Sequence, residues 1–221
     1  MKVREVAGGG RAVEVPPERL ARWFGGFEKR NGPAERTVLS PEEVVVTAAN
    51  GTTATVAVPF PPLDAEGERS GLDVDALVQH AMAERRIGLV LVRLGAHSIG
   101  IAEGERVVTS RTDRHLVHGR TSKGGWSQQR FARRRDKQAT EALARVARDV
   151  ADVLGPRVGE LDAVVCGGDR AAIDELRDDP KLARVFALAR PVVLDVGEPR
   201  KTVLDEAARR ARAVEVVVRD G

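Results

Sequence analysis

The stretch GLVLVRLGAHSIGIAEGERVVTSRTD, residues 88–113, holds three runs rich in Val, Ile, Leu and Thr, separated by Gly95 and by Glu103-Gly104. Branched side chains fit a pleated, half-buried surface and glycine turns the chain between them, so this stretch predicts a three-stranded meander. Its last strand runs on into HLVHGRTSKGGWSQQ, residues 115–129. From about Ser127 to Leu154 the period lengthens: Phe131, Ala139, Leu143, Val146, Val150 and Val153 share one stripe of a long helix. Gly155-Pro156 stops that helix. LDAVVCGG (161–168) then reads as a buried strand, DRAAIDELRDDPKLARVF (169–186) as helix and connection, and PVVLDVG (191–197) as a strand. RKTVLDEAARRARA (200–213) reads as a helix and VEVVVRD (214–220) as the closing strand. A meander, a long helix and then alternating strands and helices give an α+β or α/β class, a mixed β-sheet flanked by helices over residues 72–221.

Working outward, residues 1–60 read as a small N-terminal α+β unit. A short strand around Ala12–Val15 leads through Pro16-Pro17 into ERLARWFGGF, where Leu20, Trp23, Phe24 and Phe27 recur at helical spacing and are expected to bury one face. EEVVVTAANGTTATVAVPF (42–60) carries two β-branched runs around Asn50-Gly51, a hairpin signal that favours positive φ at both turn positions. PFPPLDAEGERSG (59–71) combines prolines, acidic and small residues with no apolar period, so residues 61–71 are expected to be a linker and a helix to follow from about Leu72 to Arg86.

Composition narrows the function classes. The 221 residues are 42% hydrophobic and 31% charged, enough for a soluble core, and 3% aromatic, which makes that core aliphatic. The absence of a long apolar run and of an apolar leader at MKVREVAGGGR predicts no membrane association and a cytoplasmic protein. Cys166 is the single cysteine, so an internal disulfide and a cysteine-based zinc site are excluded. The net charge of +3 is unevenly placed: Arg111 to Lys137 holds nine Lys or Arg against Asp113 and Asp136. Only six of the 36 basic residues are Lys, and arginine suits planar, bidentate phosphate contacts.

That basic stretch contains the candidate site, HGRTSKGGWSQQRFARRRDK, residues 118–137, joining a strand to the long helix. Gly119, Gly124 and Gly125 permit close approaches that a side chain would block, and Arg120 and Lys123 bring charge to the same loop. Trp126 has no apolar period around it and fits stacking on a nucleobase, or a fold back onto the domain. Ser127 can cap the helix, leaving Gln128 and Gln129 in its first turn. Arg130, Arg133, Arg134, Lys137 and Arg148 form a basic helix face beside a glycine loop, a combination that favours RNA phosphates over a merely solvated face.

Other motifs carry less. Cys166-Gly167-Gly168-Asp169 follows a buried strand and opens a helix, but it lacks a Walker Lys-Ser/Thr pair and the dinucleotide spacing, so it reads as an ordinary turn. His80, His97, His115 and His118 match no zinc pattern, and no metal or small-molecule cofactor is expected. Asp162, Asp169, Asp174 and Asp195 fall at predicted element ends, where capping explains them.

The run GGWSQQRFARRRDKQATEALARVARDV (124–150), with the upstream His118-Gly119-Arg120, resembles the catalytic loop and following helix of the eukaryotic and archaeal class-1 peptide-chain release factors. The order of meander, helix and later strands resembles that family's middle domain over about Ile87 to Asp220. The loop departs from the family's Gly-Gly-Gln: Trp126 and Ser127 stand between Gly124-Gly125 and Gln128. The chain is therefore more similar to the release-factor-like peptidyl-tRNA hydrolases of ribosome quality control, in their actinobacterial VLRF branch. That resemblance implies an enzyme that frees nascent peptide from tRNA on a stalled or split large ribosomal subunit. It implies Gln128, then Gln129, as the groups that orient water and stabilise an oxyanion, with Gly124 and Gly125 admitting the loop to the catalytic cavity. Arg120, Lys123, Arg130 and Arg133 would hold tRNA or ribosomal phosphates; no DNA partner is implied. Two alternatives stay open. One is cleavage of the tRNA acceptor end, with His118 or His115 as base beside Arg120; the other is a non-catalytic ribosome- or RNA-binding protein.

Overall fold

The computed structural model describes residues 3–93, 95–114 and 127–221, with side chains described outside 127–137. These residues form two units: residues 1–84 with 212–221, and residues 85–211. The second is inserted into the chain of the first.

The first unit is an antiparallel sheet with two helices. Its strands are β1 (Val3–Glu5), β2 (Arg11–Val15), β3 (Ala34–Leu39), β4 (Glu43–Ala48), β5 (Thr53–Ala57), β6 (Gly67–Ser70) and β12 (Val214–Arg219). The spatial order is β1-β2-β12-β5-β4-β3-β6. Alternation shows which face is buried: in β4, Val44, Val46 and Ala48 point inward, and in β12 Val214, Val216 and Val218 do so. Helix α1 (Leu20–Asn31) lays Leu20, Phe24 and Phe27 on that face and α2 (Asp75–Met82) adds Leu77 and Ala81. Each fully buried Leu or Phe contributes about 1.5–3 kcal/mol. Trp23 is only partly buried, so three of the four expected apolar positions of α1 are core and the fourth is at the surface.

The second unit is a mixed sheet between helices, as expected. Strands β7 (Arg86–Arg93), β8 (Ala96–Glu103) and β9 (Arg106–Arg114) make the antiparallel meander, while β10 (Ala163–Gly168) and β11 (Ala189–Leu194) add in parallel, giving the order β11-β10-β7-β8-β9. Helix α3 (Ser127–Val153), α4 (Arg170–Arg177) and α5 (Ala183–Phe186) cover one face, where Val146, Val150, Leu154, Ile173 and Leu176 meet Val90, Val92, Ile99 and Ile101. Helix α6 (Lys201–Ala211) covers the other with Leu204, Ala207, Ala208 and Ala211, a stripe of mostly small residues that brings the helix axis close to the sheet. Gly100 completes that fit, since a Cβ there would stand 2.8 Å from the Thr109 carbonyl oxygen and 2.9 Å from Leu204 Cδ2.

Three boundaries differ from the sequence reading. The closing strand β12 leaves the expected 72–221 domain and pairs with β2 and β5 in the middle of the first unit's sheet. Residues 61–71 are not a linker: Leu63 is buried in the first core and β6 pairs with β3. Helix α2 is shorter than expected and also belongs to the first unit. The Asn50-Gly51 hairpin forms, but only Gly51 takes positive φ (83°), with its N–H donating to the Ala48 carbonyl at 2.9 Å. Asn50 Oδ1 instead accepts from the Thr52 N–H at 3.0 Å.

Candidate functional site

Strand β9 ends at Arg114 and α3 begins at Ser127, so the candidate loop joins these two elements. Gly124, Gly125, Arg120, Lys123 and Trp126 lie outside the described residues, as do His115 and His118. Gln128, Gln129, Arg130, Arg133 and Arg134 lie within the helical span of α3, with side chains outside the described residues. Both glutamines therefore fall in the first helical turn, where backbone N–H groups have no intrahelical acceptor.

What the structure adds is how that helix is held. Along β8 the inward alternation places His97 among apolar residues, fully buried, and its Nε2–H donates to Asp149 Oδ2 of α3 at 2.8 Å. From the neighbouring strand β9, Arg111 Nη1 donates to Asp149 Oδ1 at 2.7 Å and to Asp152 Oδ2 at 3.0 Å. Ser98 and Thr112 share a 2.7 Å hydroxyl contact between the same strands. Burial pushes the Asp149 carboxyl up, but the hydrogen bonds from His97 and Arg111 and their charges outweigh it and hold the group below its ordinary value. These contacts, with Val146, Val150 and Leu154 in the core, fix the C-terminal half of α3 to β8 and β9. From the sequence alone His97 is tested only against zinc patterns; a polar residue at an inward position of an apolar strand is the signal for this anchor.

At the end of β9, Arg114 Nε stands 3.5 Å from Glu198 Oε1, and Arg200 Nη2 lies 2.6 Å from Glu198 Oε2. The hydrogen bond from Arg200 and the charges of both guanidiniums hold the Glu198 carboxyl below its ordinary value. The Cys166-Gly167-Gly168-Asp169 turn is structural. Gly168 takes φ +102° with Val92 O only 2.0 Å from where a Cβ would stand, and Asp169 Oδ1 caps α4 by accepting from Ala171 N at 3.0 Å. Asp162 accepts from the Arg86 N–H at 2.7 Å, Asp174 pairs with Arg177 at 3.4 Å and Asp195 with Arg93 at 3.5 Å. In the first unit His80 Nε2 meets the carbonyl oxygens of Pro59 and Phe60 at 2.8 and 3.1 Å.

Comparison with known proteins bears out the resemblance. Peptide chain release factor subunit 1 of Thermococcus onnurineus is 30% identical over 93 residues, covering 41% of this chain and 22% of that protein. The same factor of Aeropyrum pernix is 27% identical over 134 residues, covering 58% of this chain and 35% of that protein. The chain thus spans about a third or less of the length of these curated relatives. The crystal structure of an archaeal translation termination factor, aRF1, aligns with a TM-score of 0.45 at 17% identity, over 89% of this chain and 70% of that one. The model of the actinobacterial and chloroflexi VLRF1 release factors matches residues 85–217, from the start of β7 into β12 and across the whole loop-bearing unit. By that match the chain belongs to the VLRF1 release factor family of Actinobacteria and Chloroflexi, a family of release-factor-like translation factors.

Proposed function

We propose that this protein is a peptidyl-tRNA hydrolase that frees nascent peptides from tRNA on stalled or split large ribosomal subunits in the cytoplasm. The observation that carries the reading is the family match across residues 85–217, which encloses a Gly-Gly loop running into a helix that opens at Ser127. The bond to be broken is the ester between the peptide carbonyl carbon and a terminal ribose oxygen. Water adds to the carbonyl, the C–O bond to ribose breaks, and a proton passes to the departing ribose hydroxyl. Nothing in this sequence of events demands a protein nucleophile. It demands an oriented water and a donor for the oxyanion, and a glutamine amide supplies an acceptor for the first and an N–H for the second. Gln128 fills this role in our reading, supported by Gln129 and by the first-turn N–H groups of α3, which have no acceptor within the helix. Gly124 and Gly125 let the loop enter a narrow cavity. Trp126 stacks on a nucleobase, while Arg120, Lys123, Arg130, Arg133 and Arg134 neutralise phosphates.

The test is incubation of the protein with stalled ribosome–nascent-chain complexes and with their isolated large subunits, resolving peptide and tRNA 3′ ends separately. Free peptide with an intact CCA end is expected, with the rate lowered about 10²-fold or more by Gln128→Ala, as when one oxyanion donor is removed. A shortened tRNA 3′ end would replace the hydrolase with nuclease chemistry at His115 or His118. Equal release by wild type and a folded Gln128→Ala variant would refute the assignment of that residue.

A further inference from the structure

The first unit carries a second basic feature, separate in sequence from the loop and helix considered above. A cleft of about 850 Å³ is walled by one face of α1 and by β1, β2 and β12. Arg11 enters from β2; Arg19, Arg22 and Arg30 enter from α1 and the turn before it; among the described residues no Asp or Glu lines the cleft. In the same unit Arg4, Arg36, Arg69 and Arg212 pair with carboxylates, those of Glu215, Glu68, Asp73 and Glu18. None of the four cleft arginines forms an ion pair among the described residues, and all four are exposed. Converging like charges repel one another in the free protein, and a one-signed cleft with apolar walls focuses its field on an incoming anion.

The floor of the cleft is aromatic. Trp23, partly buried, stands edge-on to Phe24 (centroids 5.1 Å, planes at 90°) and nearly parallel to Phe27 (6.0 Å, 15°). Both Phe rings are fully buried, so the indole is held in a fixed attitude at the cleft wall. One turn on, Gly26 leaves the helix surface bare where a Cβ would meet Arg30 Nη1 at 3.3 Å, so the guanidinium lies across the glycine on the cleft side. Glycine inside a helix is unfavourable compared with alanine, and here it keeps the wall flat.

From this arrangement we infer that the cleft of the first unit binds single-stranded RNA, its arginines taking successive phosphates and Trp23 stacking on a base. Arginine forks match phosphate oxygens bidentately and a rigid aromatic beside a cationic groove is the combination that single strands use. The cleft is far larger than one free phosphate, and an acidic protein surface would leave the aromatic floor unexplained. This inference does not depend on peptide release by the loop of the second unit.

Trp23 and Trp126 are the chain's two tryptophans, so the full chain carrying Trp126→Phe reports Trp23 fluorescence alone. The probe is a ten-nucleotide oligo(A) RNA, titrated over a salt series while anisotropy of a labelled copy reports total binding. We expect saturable quenching of Trp23. In the Arg19→Ala, Arg22→Ala, Arg30→Ala triple variant, quenching should be lost and the slope of log affinity against log salt should become shallower by about 0.7 for each contact removed, roughly two in all. Because those side chains are exposed and unpaired, the triple variant should melt like wild type, and Trp23→Phe should weaken binding without unfolding. Oligo(A) that saturates the anisotropy without quenching Trp23 overturns the inference, because the RNA then sits elsewhere. An unchanged salt slope in the triple variant overturns it too, as does polyglutamate that quenches Trp23 as well as RNA at matched charge. Loss of peptide release on Gln128→Ala with Trp23 quenching intact would show that the two readings stand separately.

Discussion

Replacing Asp149 by alanine tests whether the contact that ties α3 to β8 and β9 holds the helix. The perturbation removes the acceptor of the fully buried His97 Nε2, 2.8 Å away, and the partner of the more exposed Arg111 at 2.7 Å. Arg111 keeps Asp152 at 3.0 Å and is solvated, so most of the loss comes from His97. A buried polar group deprived of its hydrogen bond costs about 1–3 kcal/mol. For a domain of this size that corresponds to a fall in Tm of about 2–12 °C, read from thermal melting of the full chain at pH 7 by circular dichroism. The pH dependence has a definite sign. The folded carboxyl titrates below its ordinary value near 3.8, so its contribution is fully present above that value and is lost as pH falls through the lower folded value. The gap between wild type and Asp149→Asn, which lacks the charge, should therefore close in that acidic window. Asp149 lies 22 residues along α3 from Ser127, a span of about 33 Å at the helical rise. Peptide release assayed well below the melting temperature should thus change little. A melting temperature within 1 °C of wild type at pH 7, or a gap that widens as pH falls, would refute the reasoning.

Gly100→Ala forces a methyl to within 2.8 Å of a backbone carbonyl and 2.9 Å of Leu204, so denaturant unfolding should show a loss of about 1–3 kcal/mol, partly restored by Leu204→Val. Burial pushes the Cys166 thiol up to about 11, against the opposing pull of Arg177, so an alkylating reagent at pH 8 should label it only after unfolding. Labelling of the native protein at the rate of free cysteine would contradict its place in the core. Arg130→Ala combined with Arg133→Ala should weaken large-subunit binding and make its salt dependence shallower, and an unaltered salt slope would remove these residues from the phosphate contacts.

The second unit was readable because its signals are local. Val and Ile runs in β7 and β8, the stripe from Leu143 to Val153, and Asp169 as a helix cap each declare their structure within a few residues. The first unit resisted for three physical reasons. Strands β1 and β6 are exposed throughout and therefore carry no apolar period. Strand β3 has a register shift between Ala34 and Arg36 that breaks the alternation of its inward residues. Strand β12 alternates like any half-buried strand, and nothing local in Val214, Val216 and Val218 names Val15, Val13 and Val56 as partners. At the candidate site, glycines and charge marked the loop from sequence, whereas the His97–Asp149–Arg111 anchor needed three distant elements to be seen together. The arginine cleft shows the same division: Arg19, Arg22 and Arg30 follow one another along α1 and the turn that leads into it, but Arg11 joins them only through the fold.

The central position of β12 has a consequence for how the molecule is made. β2 and β5 are synthesised before β12, yet the sheet they begin stays open, with two unpaired edges, until Val214–Arg219 arrives between them. The inserted residues 85–211 are contiguous and can collapse during elongation, so the segment translated first is the one that matures last. During that interval β2 and β5 expose strands with free backbone donors and acceptors, the kind of edge that pairs with other chains. Removal of the final ten residues would leave this transient state permanent and aggregate the amino-terminal unit while sparing the inserted one.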